Sequence, residues 1–178
     1  MKPSLLIASP QMRDPFFERA VVLVWLHDDD GALGVVVNRM LTQTVADMLQ
    51  PPDGTDLSAY EASAVAWGGP VEQHVGTVLT RTAVDEDEGW NLEGGISVTR
   101  SLDALLRLIG QGDGFLLCLG VAGWGPGQLD DEIQQGAWLW TDCDASLVFE
   151  VPVEERYDRA LATLGLTRDR VWMQPIDE

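Results

Sequence analysis

The chain has 178 residues, of which 46% are hydrophobic: enough for one domain with a sizeable core, and too apolar for global disorder. It carries 29 acidic residues against 11 basic ones, a net charge of −18 that repels nucleic acid and anionic lipid. Two cysteines and two histidines are too few for a disulfide framework or a zinc finger.

Leu5, Leu6, Ile7 and Ala8 make an apolar stretch shorter than the roughly 7–15 residues of a signal-peptide core. No later run approaches the ~20 residues that span a bilayer. The expectation is a cytoplasmic protein with reduced thiols. Residues 20–26 are β-branched and apolar, a strand buried on both faces. Asp28, Asp29, Asp30 and Gly31 are turn chemistry, and residues 33–37 are the returning strand, ending at Asn38 and Arg39. The Asp run is not a calcium loop, because Arg39 stands where the twelfth-position Glu belongs. Leu41, Val45, Met48 and Leu49 mark a short helix capped by Thr42 or Thr44 and stopped by Pro51 and Pro52.

Residues 51–63 and 85–93 read as acidic loops; 64–67, 75–80 and 96–99 read as strands. Ser101 caps a helix whose apolar face is Leu102, Leu105, Leu106 and Ile109, stopped by Gly110 and Gly112. A buried strand at 115–119 feeds a glycine-rich stretch, then a short acidic helix at 129–133. Residues 137–141 and 147–151 read as strands. The last helix begins near Pro152, with Val153, Tyr157, Ala160, Leu161 and Leu164 inward and Gly165 at its end. Strands and helices alternate without a βαβ period and without an internal boundary, so residues 1–178 form one α+β domain.

Four blocks stand out: Ala8-Ser9-Pro10 through Asp14-Pro15-Phe16-Phe17; the run from Gly31 to Asn38 and Arg39; Gly68-Gly69-Pro70-Val71; and Gly123-Trp124-Gly125-Pro126-Gly127-Gln128-Leu129. In this order they resemble the bacterial YqgE/AlgH family over residues 5 to 165. The resemblance implies a strongly bent mixed sheet approaching a pseudo-barrel, with short helices packed outside. It implies a cytosolic protein loosely labelled a transcriptional regulator, with no established enzymatic activity. The chain departs from the family pattern at Val121, Asp130, Met40 and Thr80, and in its tail at 171–175.

The residues themselves offer little catalytic chemistry. The glycine-rich stretch is a poor phosphate loop. Gln128 stands where G-x-G-x-x-G needs glycine, Pro126 has no N–H, and Asp130, Asp131 and Glu132 already fill the helix start with negative charge. Cys118 lies among apolar neighbours and reads as an inert core thiol; Cys143, between two aspartates, reads as exposed. His27 reads as an exposed turn residue, and with His74 it has no metal-ligand spacing. No metal and no cofactor is expected.

The candidate binding surface is Arg13, Asp14, Phe16, Asn38, Arg39, Gly69, Pro70, Trp124 and Gln128, all at strand ends or turns, with at least three of the four blocks expected to line one concavity. The expected function is a non-enzymatic binding or regulatory domain that works through a protein partner, without direct DNA or membrane contact. The alternative is a small-molecule binder or enzyme using a pocket at residues 123–128.

Overall fold

The computed structural model describes residues 3–169. Among them lie ten strands and five short α-helices. The strands are β1 (Ser4–Ala8), β2 (Val21–Asp28), β3 (Gly31–Val36), β4 (Met40–Thr44), β5 (Ala64–Trp67), β6 (Val71–Thr80), β7 (Gly89–Leu92), β8 (Ile96–Thr99), β9 (Phe115–Trp124) and β10 (Trp138–Asp142). The helices are α1 (Val45–Met48), α2 (Leu102–Gln111), α3 (Gln128–Gln134), α4 (Ala145–Phe149) and α5 (Arg156–Thr163).

One antiparallel path runs β10-β1-β2-β3-β9-β6-β8-β7. The short β5 adds a parallel partner to β9 at Cys118 and Leu119 and an antiparallel one to β4, so the sheet is mixed. Strand alternation explains why both faces are buried. Val78 and Leu117 face α2, where they pack with Leu105, Leu108 and Ile109. Their neighbours Leu79 and Cys118 face the main core with β1, β2, β3, α4 and α5.

The sheet curls until its ends approach. The turn after β7 meets the segment after β10: the Ala145 N–H donates to the Gly94 carbonyl at 3.1 Å. A Cβ on Gly94 would lie 2.2 Å from the Cys143 carbonyl oxygen, so only glycine permits the approach. Trp25 and Trp90, from β2 and β7, pack with ring centroids 6.0 Å apart. The result is an α+β domain with a strongly bent, half-barrel sheet and helices outside.

Several local expectations are corrected. Of the run at 147–151, no part forms a strand, and Leu147, Val148 and Phe149 belong to helix α4. The Asp144 side chain accepts from the Ser146 N–H and caps it, and so short a run cannot distinguish one helical turn from a strand. The helix expected from Leu41 begins at Val45; the residues before it form β4, and Thr44 closes a capping box with Asp47. The acidic stretch 85–93 contains β7, which pairs with β8. The inner face of α2 is Ala104, Leu105, Leu108 and Ile109, while Leu102 is 62% exposed. Strand β9 runs on through Gly120 to Trp124, because β3 offers it backbone partners from Ala32 to Gly34.

Candidate functional site

The loop between β1 and β2 organises the candidate surface. Asp14 starts it: its carboxylate accepts the Phe16 N–H at 2.8 Å, and its carbonyl accepts from Phe17 and Glu18. Arg39 then clasps the loop from the far side. Its guanidinium donates to the carbonyls of Pro15, Phe16 and Glu18, the last at 2.6 Å. Burial draws the Arg39 pKa down from its ordinary value, and Glu18 and Asp14 oppose that shift. Asn38 locks the loop's end. Its side-chain carbonyl accepts from Val21 N–H and its amide donates to the Arg19 carbonyl, both at 2.8 Å.

Two adjacent aromatic rings carry the loop to the other blocks. Phe16 stacks on Trp67, with centroids 6.1 Å apart and planes 13° from parallel. The Arg39 guanidinium carbon lies 5.4 Å from the Trp67 ring centroid. Phe17 stacks on Trp124 at 6.3 Å and meets Trp138 edge-on at 5.6 Å. Both indoles donate to the same Glu132 oxygen, each at 2.9 Å. The other Glu132 oxygen accepts from Gln128, whose own carbonyl accepts from the Gly125 N–H. The Gly-Trp-Gly-Pro-Gly-Gln stretch is therefore a strand end, a tight turn and a helix start tied together by one carboxylate.

Gly69 sits where a Cβ would come within 2.1 Å of the Val121 carbonyl group. That contact sets the third block directly against β9. Pro70 follows it, and its carbonyl accepts from Gln73.

The structure thus brings Asp14, Phe16, Asn38 and Arg39 together in one fixed loop. Trp124 joins them through Phe17, and Gln128 joins through Glu132. Arg13 points elsewhere, into a cavity of about 260 Å³ that it shares with Arg19, Tyr157 and Arg168. The blocks meet through packed rings and backbone hydrogen bonds. Sequence alone assigns Trp67 no role, names Phe17 only as the end of the first block and names Glu132 only as charge at the helix start, although Trp67 directly precedes Gly68 and Glu132 lies one helical turn beyond Gln128.

The remaining candidates take structural places. Cys118 is wholly buried, and burial pushes its thiol up to about 12. His27 corrects the exposed-turn expectation: its side chain is 6% exposed, with Nε2 3.2 Å from an Asp130 carboxylate oxygen. His74 lines a separate groove with Met48 and Leu102. No group of three or more His, Cys, Asp or Glu able to hold a metal ion occurs among the described residues, and no described helix is long and apolar enough to cross a membrane.

A family model described as AlgH-like matches residues 5–169. The chain belongs to the AlgH-like family. This AlgH-like chain is 42% identical over 176 residues to a "UPF0301 protein" of Rhodopseudomonas palustris, covering 91% of this chain and 79% of the relative. It is 38% identical over 172 residues to a "UPF0301 protein" of Caulobacter vibrioides, covering 94% and 88%. Its fold matches the solution structure of the AlgH protein from Pseudomonas aeruginosa with a TM-score of 0.78 at 31% identity, covering 99% and 95% of the two chains. A crystal structure from Corynebacterium diphtheriae shares the fold with a TM-score of 0.76 at 24% identity, covering 99% and 88%.

Proposed function

We propose that this AlgH-like chain is a non-enzymatic cytoplasmic binding domain that acts through protein contacts, using the face around Phe16, Trp67 and Arg39. The observation that carries this reading is Phe16: its ring is held on Trp67 by a loop fixed at both ends, yet it remains 49% exposed. A preordered aromatic beside an arginine loses little conformational entropy on docking, and such residues dominate protein interfaces. The alternative of a pocket at residues 123–128 is weakened by the engagement of its own polar groups. Trp124 is buried, and Gln128 is already bonded to Gly125 and Glu132. Direct DNA binding is disfavoured by the net charge of −18.

The test is affinity capture from native bacterial lysate with the wild type, Phe16→Asp, and Trp140→Ser as a control at a second exposed aromatic. A protein enriched by wild type and Trp140→Ser but lost with Phe16→Asp is the expected result. Identical captures from all three would end the proposal. In a gel-shift assay, duplex DNA should not be retained at physiological salt; a micromolar shift with a steep salt slope would contradict the exclusion of DNA.

A further inference from the structure

The cavity that receives Arg13 lies on the far side of the same loop. Pro10, Arg13, Arg19, Tyr157, Arg168 and Asp169 line it. Three of the chain's 11 basic residues meet there, in a protein with 29 acidic ones. Like charges gathered in one cavity repel unless something answers them.

One of the three is answered. Arg168 Nε lies 2.7 Å from one oxygen of Asp158 and Nη2 3.3 Å from the other. Its guanidinium carbon also sits 5.3 Å from the centroid of the Tyr157 ring. The side chains of Arg13 and Arg19 make no ion pair or hydrogen bond with any described residue. Among the described residues, Asp169 is the carboxylate in the lining, and Asp158 is bonded to Arg168.

The backbone holds this arrangement in place. Arg19 has φ 56°, the left-handed region that side chains with a Cβ rarely adopt. The hydrogen bond from Asn38 to the Arg19 carbonyl keeps it there, and the Ala20 N–H closes a turn onto the Phe17 carbonyl at 3.0 Å. The far wall is equally fixed: Tyr157 is buried, and its hydroxyl donates to the Ala8 carbonyl at 2.7 Å. Arg19 and Arg168 line the cavity beside Tyr157.

We propose that this cavity binds a small phosphate dianion, either inorganic phosphate or the phosphate group of a compact metabolite. Guanidinium groups match phosphate oxygens with paired N–H donors. Arg168 is already held by Asp158, so Arg13 and Arg19 are the two guanidinium groups left to an anion, and their forked donors match the several oxygens of a phosphate. Its volume, about 260 Å³, falls just below the range of ~300–1,000 Å³ for drug-sized ligands, so the ligand is compact. Pro10 supplies an apolar edge for a short carbon chain.

The test is a titration of the full chain, at constant ionic strength, followed through the arginine side-chain N–H resonances. Inorganic phosphate, glycerol phosphate, succinate and acetate are the four probes. Saturable shifts with phosphate at Arg13, Arg19 and Arg168 are expected. Affinity should fall at least tenfold in the Arg13→Gln/Arg19→Gln double variant and stay unchanged in Arg81→Gln, whose ion pair with Glu150 lies elsewhere. Both substituted side chains are exposed, so the variants should fold, which the backbone amide spectrum checks directly. Tighter binding of glycerol phosphate than of phosphate would identify an ester ligand, and equal binding would identify the free ion. Linear shifts spread over all arginines, equal affinity in the double variant, or tighter binding of succinate than of either phosphate would overturn the proposal.

Discussion

The Phe16 ring lies flat on Trp67, 13° from parallel, and its exposed side faces solvent at the tip of a loop that Arg39 holds from behind. The relationship joins residues 51 positions apart, in a loop fixed by Asp14, by Asn38 and, from behind, by the Arg39 guanidinium. Removing that guanidinium should loosen the loop without unfolding the sheet.

Arg39→Ala and Arg39→Lys are both expected to raise amide hydrogen exchange at Phe17, Glu18 and Ala20. A lysine ammonium is a single point and cannot reach three carbonyls at once. Exchange in β9 should stay as in wild type. Full protection in Arg39→Lys would show that charge, and not the forked geometry, holds the loop.

Glu132→Leu should destabilise the protein by roughly 2–5 kcal/mol, because it leaves the buried indole N–H groups of Trp124 and Trp138 without an acceptor. Urea unfolding followed by tryptophan emission measures this. Glu132→Gln keeps one acceptor oxygen and should cost less than Glu132→Leu. A smaller loss for leucine than for glutamine would mean that the carboxylate is not what satisfies the two indoles.

Two glycines of the same region should behave oppositely. A Cβ at Gly69 collides with the Val121 backbone, so Gly69→Ala should lose more than about 3 kcal/mol or fail to fold. A Cβ at Gly123 meets nothing within 4 Å, and Gly123→Ala should stay within about 0.5 kcal/mol of wild type. Thermal unfolding of the pair is sufficient; similar midpoints would contradict the close approach at Gly69.

Cys118 should resist alkylation at pH 8 in the native state and react at once in urea. Its folded pKa is raised to about 12, above the thiol's ordinary value near 9. The stability this contributes is present in full below about pH 9 and is lost as pH rises toward about 12. Tyr60 and Tyr157, also raised by burial, add to the same alkaline decline. Cys118→Ala should flatten the slope by up to roughly 1.4 kcal/mol per pH unit. An unchanged slope would show that the thiol ionises over the same pH range in the folded and unfolded states.

Local chemistry made much of the fold legible. The hairpin at β2 and β3 follows from its β-branched runs and the Asp-Gly turn, and Ser101 and Gly112 bound α2 as capping rules require. What stayed hidden was settled by distant partners. Nothing in residues 120–124 says that the strand continues through two glycines; β3 decides that by lining up beside it. His27 looked exposed beside three aspartates, but α3 covers it and brings Asp130 to it. The blocks of the candidate surface were visible as unusual residues at strand ends. Trp67, Phe17 and Glu132, which connect those blocks, look ordinary until the chain is folded.

The pairing of β1 with β10 also sets a timetable. β1 is apolar and fully buried in the finished protein, yet its second neighbour is the last strand of the sheet, roughly 130 residues later. At a translation rate of about 5–20 residues per second, a nascent chain carries that edge unpaired for roughly 7–26 s, with β2 covering only its other side. Tyr157, which closes over Ala8, emerges later still. The newborn chain therefore holds an open, sticky strand edge until its final quarter leaves the ribosome, and it is during that interval that a chaperone or a neighbouring nascent chain would find it.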